Sequence, residues 1–124
     1  MNNYVNTKNA PAAIGPYSQA RIAGGMIYVS GQLPVNMDNG EMETDIQKAT
    51  HACLSNVKAI LEAAGSNMSK VVKTTVYLTD MSDFPVMNEV YNSFFQAPYP
   101  ARVCVAVKTL PKNVVVEIDC IAEM

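Results

Sequence analysis

The chain has one histidine, three cysteines and no excess of basic residues, and each shortage excludes a class of function. With His51 alone, a His-dependent triad, a His-based metal site or a ribonuclease mechanism using two histidines lacks the residues it needs. His51 also lies two residues before Cys53, roughly 200° around a helix from the apolar stripe, which predicts an exposed side chain. Cys53, Cys104 and Cys120 are odd in number and share no short spacing, so neither a disulfide framework nor a zinc site fits. Nine Lys+Arg against eleven Asp+Glu leave a net charge of −2, which is no electrostatic footprint for a nucleic-acid backbone. No run approaches the roughly 18 apolar residues of a membrane span. The opening residues, Met1 to Asn6, show no basic segment followed by an apolar stretch, which predicts no secretion signal and a soluble, cytoplasmic protein.

What the sequence does hold is apolar material. Hydrophobic residues make up 49% of the 124 and charged residues 16%, a composition that excludes a disordered tail. Two independent cores would each be too small, so a single domain over residues 1–124 is expected. With so few charges, part of the surface is expected to be covered by another subunit.

No internal repeat or linker interrupts the chain. Ser18 to Ala23 and Met26 to Gly31 flank Gly24-Gly25, the signature of a two-residue hairpin. In that register Ala20, Ile22, Ile27 and Val29 share an apolar face, while Tyr17, Gln19, Arg21, Tyr28, Ser30 and Gln32 fall on a polar one. Asp38-Asn39-Gly40 is a turn signal. Thr44 and Gln47 then have the spacing of a capping box, and Ile46, Ala49, Cys53, Val57, Ile60 and Ala64 mark a helical stripe that Gly65 ends. Val71 to Leu78 reads as a strand. A second helix opens at Ser82 or Asp83, carries the stripe Phe84, Met87, Tyr91 and Phe94, and stops before Pro98 and Pro100. Arg102 to Thr109 and Val114 to Ala122 surround the turn Leu110-Pro111-Lys112-Asn113 and read as a closing hairpin. That pairing places Val103, Val105 and Val107 in the core beside Val116 and Ile118. It sets Arg102, Cys104 and Ala106 on the other face with Glu117 and Asp119. The expected architecture is α+β, a two-layer sandwich of one mixed sheet with two helices on one face. The other face is too apolar for full solvation, and packing against other subunits is the simplest remedy.

Arg102 and Glu117 are the pair with chemistry. In the expected hairpin Glu117 sits opposite Ala106, four residues from Arg102, or about 13 Å between backbones. Side chains reaching inward leave a gap the size of a small acid plus a water. The Arg fork grips a carboxylate with two parallel bonds, and a nearby carboxylate polarises a water as general base. A structural ion pair is the plain alternative. Cys104 lies between them without a histidine to activate it, which suits a packing residue contributing its backbone N–H. Tyr17 and Ser30 are either polar interface filling or part of the same site. Asn88, beside Met87 in the second helix, is either a surface residue or a helix-borne hydrogen-bond partner.

Six segments, in order along the whole chain, resemble the RidA/YjgF family. They are Ile14-Gly15-Pro16-Tyr17-Ser18-Gln19-Ala20, Tyr28-Val29-Ser30-Gly31-Gln32-Leu33-Pro34, Val72-Lys73-Thr74-Thr75-Val76-Tyr77-Leu78, Met87-Asn88-Glu89-Val90-Tyr91, Pro100-Ala101-Arg102-Val103-Cys104 and Val116-Glu117-Ile118. The resemblance implies a chorismate-mutase-like fold assembled as a homotrimer, with the pocket between subunits. It implies 2-iminobutanoate/2-iminopropanoate deaminase activity, the hydrolysis of reactive enamines and imines to 2-oxo acids and ammonia. Carried over by motif, Arg102 grips the substrate carboxylate and Glu117 orients the attacking water. Tyr17, Ser30, Gly31, Asn88 and the backbone at Cys104 complete the site. No metal or organic cofactor is implied, and neither a nucleic acid nor a membrane is expected as a partner. The alternative is a non-catalytic module that holds a 2-oxo acid in the same pocket. A second rival is RNA cleavage, attributed to some relatives. Two departures from the family pattern stand out: a short loop at Gln96-Ala97-Pro98-Tyr99, and Val103, expected to point into the core, where a small polar residue is common.

Overall fold

A computed structural model describes residues 2–124. In chain order the elements are β1 (Tyr4–Val5), β2 (Ala20–Ala23), β3 (Met26–Gln32), α1 (Ile46–Ala63), β4 (Val71–Leu78), α2 (Phe84–Phe94), β5 (Ala101–Ala106) and β6 (Val116–Glu123). The strands form one mixed sheet in the order β1-β2-β3-β6-β4-β5, with the helices on one side, the α+β two-layer class expected. Only β1 is an addition, and two residues are too short to show a period.

The β2–β3 hairpin forms in the expected register, with Ala20 opposite Val29 and Gly24 and Gly25 both at positive φ. Past Val29 the alternation breaks. Val29 pairs with Cys120 but Gln32 pairs with Ile118, so Ser30 and Gly31 together face one residue of β6 in a β-bulge. The bulge turns Gln32 into the core rather than onto the polar face, where its Nε2 donates to Ser30 O at 3.1 Å. Gln19 is also buried, against expectation. Its amide accepts from Thr7 N–H at 2.7 Å and donates to Pro11 O at 2.9 Å, tying the N-terminal loop to the sheet.

Helix α1 begins on Asp45 rather than on a Thr44–Gln47 box. The Asp45 carboxylate accepts from Lys48 N–H at 3.0 Å, and a carboxylate there also favours the positive end of the helix dipole. Gly65 ends it as expected, at φ 87°, with its N–H on Glu62 O and the Ser66 N–H on Leu61 O. Ala49, Cys53, Val57 and Ile60 are buried in the core that α1 forms with β3 and β6.

The closing hairpin does not form. The Leu110–Asn113 turn is present, with Asn113 N–H donating to Leu110 O at 3.0 Å, yet β6 enters the sheet between β3 and β4. β5 pairs instead with β4, in parallel, and α2 is the crossover such a connection requires. This reverses the faces of β5. Val103 pairs with Thr75 and Val105 with Tyr77, and the two valines are 43% and 40% exposed on the side away from the helices. Val103 is therefore not a core residue. Arg102 and Cys104 pair with the buried Thr74 and Val76 and face the helix layer.

Candidate active site

Arg102 is set by β5 and held by α2. Its Nη1 donates to Asn88 Oδ1 at 2.8 Å, and its guanidinium carbon lies 4.7 Å from the centre of the Tyr91 ring and 5.5 Å from that of Phe84. Phe84, Asn88 and Tyr91 recur every three or four residues and so share one helix face. The Tyr91 hydroxyl is fixed by a buried 2.7 Å hydrogen bond with Thr74 on β4. Ring faces attract the cation without neutralising it. Among the described residues no carboxylate pairs with Arg102, which leaves its fork able to take an anion. Asn88 is thus a helix-borne partner rather than a surface residue.

Glu117 lies on the opposite face. On β4, Thr74 and Tyr77 point to opposite sides; Arg102 pairs with the first and Glu117 with the second. The expected pocket between Arg102 and Glu117 of one chain is not there, because β4 separates their strands and the sheet separates their side chains. Glu117 instead sits over the bulge of β3. A Cβ on Gly31 would collide with its carboxylate, so glycine is what lets the acid lie against this backbone. Burial, and then the negative charge of Asp119, raise the Glu117 carboxyl above its ordinary value.

Tyr17 and Ser30 are on the side of Glu117. Ser30 Oγ donates to Ser18 O at 2.6 Å, and Tyr17, 53% exposed, accepts from Ile14 N–H at 3.4 Å. With Arg21 and Tyr28 they line an open hollow of about 600 Å³. Cys104 lies beside Arg102. Burial raises its thiol, Arg102 lowers it less, and among the described residues no base adjoins it.

The residues named from the sequence therefore fall into two half-sites. Arg102, Asn88 and Cys104 form one at the β5–α2 edge; Tyr17, Ser30, Gly31 and Glu117 form the other on the open sheet face. Phe84, Tyr91, Tyr77 and Asp119 were not foreseen as parts of either. The signal for the first two was in the sequence: an amide, Asn88, set among the aromatics of a helix stripe. His51 is exposed as expected, edge-on to Phe94 at 5.3 Å. It lines a separate groove of about 1390 Å³ over the helices and the loop before α1, and none of the half-site residues lines it.

The sequence model of the family described as endoribonuclease L-PSP matches residues 7–124. The chain belongs to that family, the RidA/YjgF proteins. It is 49% identical over 125 residues to the 2-iminobutanoate/2-iminopropanoate deaminase of Escherichia coli, covering 98% of both chains. It is 50% identical over 123 residues to a RutC family protein of Pyrococcus horikoshii, again covering 98% of both. Among solved structures, E. coli TdcF with bound serine matches with a TM-score of 0.92 and 46% identity over 98% of each chain. RidA from an Antarctic Psychrobacter matches at 0.92 with 45% identity, over 97% of this chain and 98% of that one. The α+β fold of the RidA/YjgF family is thus the fold of this chain.

Proposed function

We propose that the protein is a 2-iminobutanoate/2-iminopropanoate deaminase whose pockets form between copies of the chain, in a homotrimer. The observation that carries this reading is the pairing of two incomplete halves. Among the described residues Arg102 is oriented for an anion but has no acid paired with it, and Glu117 is a carboxylate with raised proton affinity but has no cation paired with it. Only a second copy brings the two together. The open face has the surface for it, with Tyr28, Val103 and Val105 each 40% exposed or more.

In this pocket Arg102 takes the substrate carboxylate and the backbone at Cys104 borders it. Tyr17, Ser30 and Gly31 form the opposite wall, with Glu117 beside the imine carbon. The protonated C=N accepts water at carbon while its π electrons move to nitrogen, and Glu117 takes a proton from that water. The neutral carbinolamine then receives the proton on nitrogen from Glu117. The hydroxyl oxygen's electron pair forms C=O as the C–N bond breaks; the carbonyl proton passes to Glu117 and from it to the released ammonia, which leaves as ammonium and restores the carboxylate. A protonated imine is already electrophilic, so positioning and proton transfer carry the rate.

Two relatives support the reading: one is named for this deaminase activity, and another was solved with serine, a molecule with an α-carboxylate. That bound serine is also what favours the second reading, a module that holds a carboxylate ligand without turnover. RNA cleavage, suggested by the family's description, finds little here: the net charge is −2 and His51 stands apart from both half-sites. The test is a coupled assay in which a dehydratase generates the imine and its loss is followed with and without this protein. Accelerated loss supports the deaminase; unaltered loss with retained 2-oxo-acid binding supports the module.

A further inference from the structure

Glu117 has an acidic neighbour that the proposed chemistry does not use. Asp119 is two residues along β6 on the same face, about 7 Å between backbones. Its side chain is half-buried. Tyr77, the β4 residue directly across from Glu117, donates its hydroxyl to Asp119 Oδ2 at 3.3 Å. A tyrosine paired with one carboxylate thus bonds to the next and holds it beside the first. On the far side the β3 bulge closes against Glu117 at Gly31.

We propose that Asp119, anchored by Tyr77, is a positioning residue that acts through Glu117 and makes it a stronger proton acceptor. The inference rests on the reading of Glu117 as the base. Two like charges held on one strand face oppose the second ionisation, so the fixed charge on Asp119 favours the step in which Glu117 takes a proton from water. Burial and the two carboxylates also raise the Tyr77 phenol, which keeps it a donor to Asp119.

The other titratable groups around Glu117 are poorly placed for this role. On β4, Lys73 pairs with Ile121, four residues along β6 or about 13 Å away. Tyr28 on β3 also pairs with Ile121, and Arg21 on β2 lies beyond it with its Nε on Asn3 O. Tyr17 lines the hollow before β2, and β5 presents the uncharged Val103 and Val105 to this side. From the helix side, Cys53 donates to Val116 O. In the assembled protein a partner copy adds its own Arg102, the same in every variant compared.

The experiment compares wild type with Asp119→Asn, Asp119→Glu and Tyr77→Phe in the assembled protein. The pH profile of imine hydrolysis, less the uncatalysed rate, is measured beside the Glu117 titration by NMR of 13C-carboxyl-labelled glutamate, assigned with Glu117→Gln. Asp119→Asn is expected to move the acid limb and the Glu117 titration down together by roughly half a pH unit or more. Asp119→Glu keeps both near wild type. Tyr77→Phe, which removes only a hydroxyl and tests the idea even if Asp119→Asn folds poorly, moves both the same way by less. A titration unmoved in Asp119→Asn, or in Tyr77→Phe where Asp119→Asn does not fold, overturns the proposal. Unchanged turnover in Glu117→Gln overturns the base reading on which it rests, and the NMR titration still reports the coupling separately.

Discussion

Arg102 donates to Asn88 across the gap between β5 and α2, so the guanidinium is aimed by a neutral amide and not neutralised by an acid. Arg102→Ala is expected to abolish deamination while the fold persists, with a loss of roughly 2–5 kcal/mol in ligand binding, as for truncating a desolvated charge pair. Arg102→Lys rescues poorly, because a point charge lacks the bidentate fork. Asn88→Asp is as damaging as Arg102→Ala, since it supplies an internal carboxylate that competes with substrate. Near-native turnover in Arg102→Ala would contradict the assignment.

Gly31 is occupied by its neighbour's carboxylate rather than strained in its own backbone. Gly31→Ala is expected to push Glu117 aside, cutting turnover at least ~10-fold, the scale of a misplaced general base. Thermal unfolding is the companion measurement. Full activity with Glu117 unmoved in a crystal structure of the variant would refute the close approach.

Glu117→Gln separates enzyme from binding module. Turnover is expected to fall at least ~100-fold, the lower end of general-base contributions, while calorimetry still detects 2-oxo-acid binding through Arg102. Stability carries its own signature. The folded carboxyl is raised, so its contribution is complete below the unfolded-state value and is lost as pH rises through the folded one. In a chain kept from assembling, so that no partner cation faces the acid, Glu117→Gln therefore raises Tm at neutral pH and has little effect in acid, where wild-type Glu117 is also uncharged. A Tm gain that is independent of pH would count against that environment.

Two inactive variants are expected to repair each other. If each pocket takes Arg102 from one copy and Glu117 from another, Arg102→Ala and Glu117→Gln chains, unfolded and reassembled together, form some intact pockets and regain activity. Light scattering at micromolar concentration is expected to find a trimer, and Val105→Glu to reduce its mass by placing a charge in the contact. A monomeric wild type, or mixtures as inactive as their parents, would dismiss the shared pocket.

Cys104→Ser should leave turnover nearly unchanged. Burial raises the thiol, no base adjoins it among the described residues, and in the proposed pocket only its backbone is used. A dead variant with an intact fold would reopen a covalent route.

Much of the architecture was legible because it is written in short-range terms. Gly24-Gly25 specifies a hairpin with its register, the β-branched residues of Val71 to Leu78 favour a strand, and Gly65 stops α1, each through a handful of adjacent residues. Asn88 could be read as a candidate because an amide interrupts an apolar stripe. The bulge at Ser30-Gly31 could not. An inserted residue leaves the local pattern intact and shifts only the residues after it, so strict alternation places Gln32 on the wrong face.

The sequence by itself determined every strand but β1, both helices, the turns between them and the residue types able to grip a carboxylate and polarise a water, because period, turn residues and side-chain chemistry are local properties. The tertiary structure alone decided which strands are neighbours. The Leu110–Asn113 turn serves an adjacent hairpin as well as a crossing to the sheet centre, and only the burial of β6 between β3 and β4 selects the crossing. That choice turned β5 over and put Arg102 on the helix side and Glu117 on the open side, so one copy of the chain does not bring together the pair that a simple hairpin would have set on one face.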